Sequence, residues 1–526
     1  MSGLIERVIE NRLINTNELG YQVPFCQYLV SEGYTLLHLS SHGQMEQGKD
    51  IISIDEKGIP CAFQLKSGDI DLPEWRKIKC EIDELVESPI NFPGVRKDIK
   101  HRSVLVTNGI ITDPVRRGID DLNISYQKRR YSEVEVITKM DLLKRFVYVH
   151  DVFLPNEPSD FKLFLELLLS DGHEMIDKEL TAKFMEGILF SGKESKPELK
   201  RKIASGLLLM QYLMRTFENA RNHISIIEGW TLFGSYILAM AERYGLEDEY
   251  WRQSFNLILH LIKNQFDLLK EEFFSRTDFL EGSWDGGLIY KSRLTMVLGW
   301  LSAFELYSEQ KDKSYALDKR VFEYIKRYYK DATWYWGESA TPFFVEMSLF
   351  AFRFGDTSFS NAILVDLVAQ IIVENQSRKG KGFPNPYYSA QQVIEYLYGV
   401  GEKEIASDSF LGASYHASAI VDMLVRRNRR TILSEVWKDV SNLLLCEFKP
   451  ECTWKILTWH CEEGEQVELF YDHPQSWRKI LNEASDYKTA NMPKTLIQNP
   501  FSHFFLICYP HRLGRSSIKL IDKLGN

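Results

Sequence analysis

The stretch His42-Gly43-Gln44-Met45-Glu46-Gln47-Gly48-Lys49-Asp50-Ile51-Ile52, followed by Phe63-Gln64-Leu65-Lys66-Ser67-Gly68, decides the reading of the first part of the chain. Asp50 leads into an apolar run, Ile51-Ile52-Ser53-Ile54. The turn Asp55-Glu56-Lys57-Gly58 follows, and a second apolar run from Ile59 to Phe63 ends in Gln64-Leu65-Lys66. Two short apolar runs around a glycine-containing turn predict a β-hairpin. Antiparallel pairing sets the start of the first strand beside the end of the second. Asp50 and the Gln64/Lys66 pair therefore share one end of the sheet. Period-two alternation places Gln64 and Lys66 on one face and Leu65 on the other. A carboxylate and an amine held there suit metal-assisted phosphodiester cleavage. The carboxylate holds a divalent ion, and the lysine orients or helps deprotonate the attacking water. The plain alternative is an ordinary hairpin with a surface Asp and Lys.

The flanking residues extend the pattern. Helical spacing runs through residues 5–13 and 25–30, with Gly33 ending the second helix. Residues 34–39 read as a strand, and residues 75–87 as an amphipathic helix with Trp75, Ile78, Ile82 and Leu85 on one face. Residues 103–108 form a short apolar strand, 115–122 a helix, 134–138 a last strand and 141–146 a closing helix. This order predicts an α/β domain over residues 1–150, a mixed sheet flanked by helices.

Asp50, then Gln64-Leu65-Lys66, then a helix, then Val104-Leu105-Val106-Thr107-Asn108 resemble the Mrr-type branch of the PD-(D/E)xK restriction-endonuclease superfamily, over about residues 18–150. That branch commonly has Asp, Gln-x-Lys and an apolar strand ending in Thr-Asn. The resemblance implies a restriction-endonuclease-like fold and a Mg2+ (or Mn2+) cofactor. It also implies Asp50 as metal ligand, Lys66 as catalytic lysine, Gln64 in the acidic position and the Leu65 carbonyl as a further metal contact. The acid that the family tends to carry on its first helix has Glu18, Gln22 and Glu32 as candidates, with Glu46 a fourth if its loop folds back. A glutamine at position 64 removes a formal charge from the metal's surroundings, which weakens them for a hard cation.

Basic residues of this region, Lys49, Arg102, Arg116 and Arg117 foremost, are expected to contact phosphates, since such contacts dominate nucleic-acid affinity without reading sequence. Interspersed Asp and Glu make a solvated surface the equal alternative. Residues 151–160, with two prolines, read as a linker. Residues 161–445 carry helical periodicity almost throughout, without a fixed-period repeat. They predict a large all-α domain, a helical solenoid or an α/α toroid-like array, with 446–526 its continuation.

Within the helical region, Asp285 and Glu338, each beside tryptophans, could pair as acid and base, or the tryptophans fill the core and the acids cap helices, which is the favoured reading. Arg426-Arg427-Asn428-Arg429-Arg430 could contact nucleic acid, but capping a helix C-terminus has the larger claim. Cys446, Cys452, His460 and Cys461 lack compact zinc spacing.

The 526 residues exceed one ordinary core, and 44% hydrophobic with 26% charged residues is globular. A net charge of -9 argues against coating nucleic acid over the whole surface. Seven scattered cysteines and no signal-like start or long uncharged apolar run predict a cytoplasmic protein away from membranes. The combined expectation is a bacterial restriction or anti-phage defence nuclease. DNA is the favoured substrate over RNA, and the helical domain regulates or assembles the enzyme with a defence partner protein or as a homo-oligomer. The alternative is a nucleic-acid-binding scaffold that does not cut.

Overall fold

A computed structural model describes residues 13, 16–39, 49–92, 95, 99–149, 158–190, 195–275, 287–375, 383–399, 412–461, 464–486 and 492–522. The chain divides into two compact units: unit 1 is Met1–Asn222 with Leu246–Leu261, and unit 2 is His223–Gly245 with Ile262–Asn526.

Unit 1 opens with helix α1 (Glu18–Ser31), which Gly33 terminates at φ +85°, a conformation costly for any residue with a Cβ. A five-stranded sheet follows, β1 (Thr35–Leu39), β2 (Ile51–Ile54), β3 (Pro60–Lys66), β4 (Arg102–Thr107) and β5 (Val134–Ile137), in the spatial order β1-β2-β3-β4-β5. The first three strands pair antiparallel and the last three parallel. The parallel steps need crossovers, supplied by α2 (Leu72–Glu87) and α3 (Asp113–Lys128). The expected hairpin forms. The Asp55 carboxylate accepts from the Lys57 and Ile59 N–H groups (2.9 and 2.8 Å), and Gly58 takes φ +80° to close the turn. Helix α2 starts at Asp71, whose side chain accepts from the Glu74 N–H, and buries Trp75, Ile78, Ile82 and Leu85, the apolar stripe read from spacing.

One face of the sheet presents Leu36, Ile51, Cys61, Phe63, Leu65, Val104 and Val106 to a core shared with Phe25 and Leu29 of α1 and with Leu142 and Phe146 of α4 (Lys139–Val149). Ala204 and Leu208 belong to the same core. They lie on α7 (Lys196–Asn219), which follows α5 (Pro158–Leu168) and α6 (Lys178–Leu189). The compact unit thus runs past the boundary expected at residue 150, and residues 151–157 of the expected linker lie outside the described residues.

Unit 2 is mainly helical. It contains α8 (His223–Tyr244), the later part of α9 (Asp248–Ser275), α10 (Leu288–Lys311), α11 (Lys319–Ala332), α12 (Thr341–Arg353), α13 (Thr357–Asn375), α14 (Ala390–Leu397), α15 (Ala417–Arg426) and α16 (Arg430–Val440). Its centre is aromatic: the ring of Phe266 lies 4.5 Å from Phe304, 5.4 Å from Phe504 and 6.0 Å from Trp300.

One expectation needs correction here. The helix expected to run to residue 445 stops at Val440, and residues 446–526 do not simply continue the helices. Instead β7 (Leu444–Pro450) pairs parallel with β6 (Ala413–Ser414) and antiparallel with β8 (Gly464–Leu469). The apolar-polar alternation from Cys446 to Lys449 has a period of two, which no helix face accommodates. Among the described residues, α8 and α13 are long and apolar enough to cross a membrane by length and composition, though each carries a carboxylate, Glu228 and Asp366. The best window of α8 is 94% buried in the protein and that of α13 44%.

Candidate functional site

Asp50 directly precedes β2 at the end of the sheet where β3 finishes. Its main-chain N–H donates to the Phe63 carbonyl (2.8 Å), and its carboxylate Oδ2 accepts from the Leu65 N–H (2.6 Å). The aspartate therefore grips the strand on both sides of Gln64. Phe63 and Leu65 face the α1 core, so alternation turns Gln64 and Lys66 to the α2 side. Gln64 is 5% exposed, and its Oε1 meets no hydrogen-bond donor among the described residues. A buried carbonyl oxygen left in that state is uncommon and points to a partner other than protein.

Lys66 ends β3, and its Nζ lies 2.5 Å from Glu81 Oε2 on α2. Its backbone is held by Tyr21 of α1. The Tyr21 hydroxyl donates to the Lys66 carbonyl (2.8 Å), accepts from the Lys66 N–H (3.1 Å) and lies 3.3 Å from the Val106 carbonyl. Burial pushes the Tyr21 hydroxyl pKa well up, with Glu18 and Asp50 adding to it and the Lys66 backbone bond opposing.

The Thr107-Asn108-Gly109 run fastens what comes after the lysine. Thr107 Oγ1 donates to the Gly68 carbonyl (2.6 Å), and the Gly68 N–H donates to Asn108 Oδ1 (2.7 Å). Asn108 Nδ2 donates to the Leu13 and Thr16 carbonyls, both at 2.8 Å. Gly109 passes so near that a Cβ there would stand 2.1 Å from the Gly68 oxygen. The Ser67 N–H donates to Glu18 Oε1 (3.1 Å), which brings that carboxylate to this end of the sheet.

Of the other candidates for the first-helix position, Gln22, an amide, is buried with its Oε1 unpartnered among the described residues. Glu32 follows the far end of α1, about 20 Å of helix from Glu18. Glu46 lies outside the described residues.

The expected phosphate contacts fare differently. Lys49 is buried, with Nζ 3.3 Å from the Glu84 carbonyl, and burial pulls its pKa down to about 8 despite the Glu84 carboxylate. It is not a surface cation. Arg102 begins β4 at the opposite end of the sheet, paired with Glu135 at 2.8 and 2.7 Å. Since β4 runs parallel to β3 with Arg102 beside Cys61 and Thr107 beside Lys66, Arg102 stands about 16 Å from the lysine along the strand. Arg116 and Arg117 are exposed near the start of α3, which follows the Thr107 end of β4, so they lie towards the Lys66 end.

For a divalent ion, the described residues offer the Asp50 carboxylate and the unsatisfied Gln64 Oε1. No three His, Cys, Asp or Glu side chains converge among them. Oxygen donors fit Mg2+, which takes one or two carboxylates and leaves other positions to water and substrate phosphate. Asp50, Gln64 and the Leu65 carbonyl would hold it. Such an ion would polarise the phosphoryl group and acidify a bound water.

In unit 2, Glu338 is enclosed. Its carboxylate accepts from the Ser414 hydroxyl and from the Tyr415 N–H (2.9 Å) and His416 N–H (3.4 Å), at the start of α15. Burial pushes its pKa up to about 7 against those bonds. This is the geometry of an acid capping a helix; Asp285, its suggested partner, lies outside the described residues. Arg426 pairs with Asp522 (2.6 Å), and Arg427 is half-buried against Ser360 (2.8 Å) and the Phe352 ring. Both arginines close the C-terminal end of α15 and are engaged within the unit.

Neither Tyr21 nor Glu81 carries a signal in the sequence around it. Tyr21 acts on a residue 45 positions away, and Glu81 is marked only by its place on α2 between the buried Ile78 and Ile82. Compared with family models, curated proteins and solved structures, the chain matches none of them.

Proposed function

We propose that unit 1 carries an Mrr-type nuclease domain that hydrolyses nucleic-acid phosphodiesters with Mg2+ or Mn2+, DNA being the favoured substrate. Asp50 and Gln64 hold the ion, and Lys66 orients the attacking water. Unit 2 regulates or assembles the enzyme, in keeping with a bacterial restriction or anti-phage role. The observation that carries this reading is the clasp of Asp50 around Gln64, which brings a carboxylate and an unsatisfied buried oxygen together at the strand end that bears Lys66. The antiparallel-then-parallel sheet with its two crossover helices supports it as well.

A second reading is a nucleic-acid-binding scaffold that does not cut. It is favoured by amides at both Gln22 and Gln64, where carboxylates would bind a cation more strongly, and by the engagement of Lys66 with Glu81. Purified full-length protein incubated with plasmid, single-stranded DNA and RNA, with and without Mg2+ or Mn2+, separates the two. Metal-dependent cleavage is expected, reduced at least about a hundredfold by either Asp50→Ala or Lys66→Ala. Gln64→Glu should lower the metal concentration needed. Binding without cleavage would favour the scaffold, and unchanged cleavage in both alanine variants would sink the assignment.

A further inference from the structure

Unit 2 holds a cavity of about 690 Å3 between β7 and residues 511–517, with Tyr415 and Ile456 in its wall. That volume suits a ligand larger than a simple inorganic ion. Its distinguishing feature is Arg512, a buried cation with no carboxylate partner among the described residues. The Nη2 of Arg512 donates to the Thr458 and Trp459 carbonyls (3.0 and 3.4 Å), and its guanidinium lies 4.5 Å over the Phe448 ring. Its Nε finds no acceptor among the described residues. The acidic groups acting on it are the Tyr387, Tyr509 and Tyr236 hydroxyls and the Cys461 thiol, none of them a carboxylate.

The other charges around the cavity have partners or face water. Arg515 is matched by Asp422 at 3.0 and 3.3 Å, and the buried Glu447 accepts from Ser418 (3.4 Å) and acts on Arg515. Lys449 and Glu451 are exposed. Holding a guanidinium away from water without a counter-charge is costly, so an anion entering this cavity would find a cation already desolvated and fixed. Tyr415 and His511 line the same space, and Tyr387 packs against both without lining it. Tyr387, half exposed, stacks on His511 (4.8 Å, 22°), and Tyr415 stands edge-on to Tyr387 (6.4 Å, 87°).

We propose that this cavity binds a phosphate-bearing ligand of mononucleotide size, with Arg512 meeting the phosphate, Lys449 and the Ser516 hydroxyl adding donors, and the Tyr415 ring receiving the base. An Arg–phosphate contact is strong because it is charge-assisted, and base–aromatic stacking is tolerant of base identity. The site is separate from Asp50 and Lys66, and its test does not depend on cleavage.

Trp459 packs on His511 at 4.6 Å, so tryptophan fluorescence of the full chain offers a readout, with calorimetry as a check. The probes are AMP, adenosine and inorganic phosphate. AMP is expected to bind saturably and at least about tenfold more tightly than either of the others. Arg512→Gln should weaken AMP by about tenfold or more. Should that variant fail to fold, Lys449→Ala and Ser516→Ala, at the rim, should each weaken AMP about threefold or more with unchanged thermal unfolding. AMP binding no tighter than adenosine, or no saturable binding in the millimolar range, would overturn the phosphate assignment. Inorganic phosphate binding as tightly as AMP would overturn the nucleotide size. Unchanged affinity in the rim variants would remove the cavity as the site.

Discussion

At the residue scale, the candidate site divides into side chains that sequence spacing can place and side chains that only the fold can. Asp50, Gln64 and Lys66 were legible because a hairpin with period two leaves few arrangements for them, and the observed register agrees. Lys49 lies beside the motif but is not a surface charge: its stem packs inside and its amine meets a helix carbonyl, which spacing alone does not reveal. Tyr21 and Asn108 matter through bonds that cross 45 and 95 positions of sequence. Asn108 satisfies one backbone N–H and two carbonyls, so Asn108→Ala leaves three groups of the strand-end loops unpaired. A loss of about 2–3 kcal/mol is expected. Tyr21→Phe keeps the ring in place and removes the hydroxyl that both accepts from and donates to the Lys66 backbone, for about 1–2 kcal/mol. Urea unfolding of both variants checks the order; equal or negligible losses would mean that these contacts do not hold the strand end.

At the element scale, the helices and strands of unit 1 were legible because each carries its own signal: Gly33 after α1, Asp71 at the start of α2, glycine in the hairpin turn. The Val440-to-Leu444 change from helix to strand is hidden at its start, since the apolar run Leu443-Leu444-Leu445 satisfies both periods and the alternation begins only at Cys446. The α15 start shows what an enclosed acid does to an element. Glu338, pushed up to about 7 by burial, binds its proton more readily in the folded chain than an exposed glutamate does. Its contribution therefore falls as pH rises from about 4.5 to about 7. His416 beside it, pulled down to about 4 by burial, resists protonation in the folded chain. Its contribution falls in the other direction, as pH drops from about 6.5 to about 4. The two slopes oppose each other over most of that range. Glu338→Gln removes one of them, so the stability of the variant minus that of the parent should rise by about 3 kcal/mol between pH 4.5 and 7. Unfolding free energies measured at four or five pH values test this; a difference that stays flat would show that Glu338 is ionised throughout.

For the whole molecule, the question is where one cooperative body ends. A proline pair at the end of an α/β pattern suggested residue 150, because linkers announce themselves by composition while a shared core does not. The core of unit 1 contradicts that boundary through particular side chains: Leu208, fully buried, and Ala204 on α7 pack with Phe25, Leu29 and Leu36, and Tyr212 rests against the same cluster. A helix that completes the sheet's core belongs to the sheet's folding unit. Leu208→Ala in the full chain should cost about 3 kcal/mol, the usual range for a leucine lost from a close-packed interior. Its signature is regional. Hydrogen exchange should quicken in β1 and β3, within unit 1, and stay unchanged in α12, within unit 2. A fragment of residues 1–150 should correspondingly lack the cooperative urea transition that a fragment of residues 1–222 retains, since only the longer one contains α7. If instead the 1–150 fragment unfolds as cooperatively as the longer one, and Leu208→Ala leaves β1 and β3 protected, then α7 is a passenger on the sheet, and the composition-based boundary is the physical one.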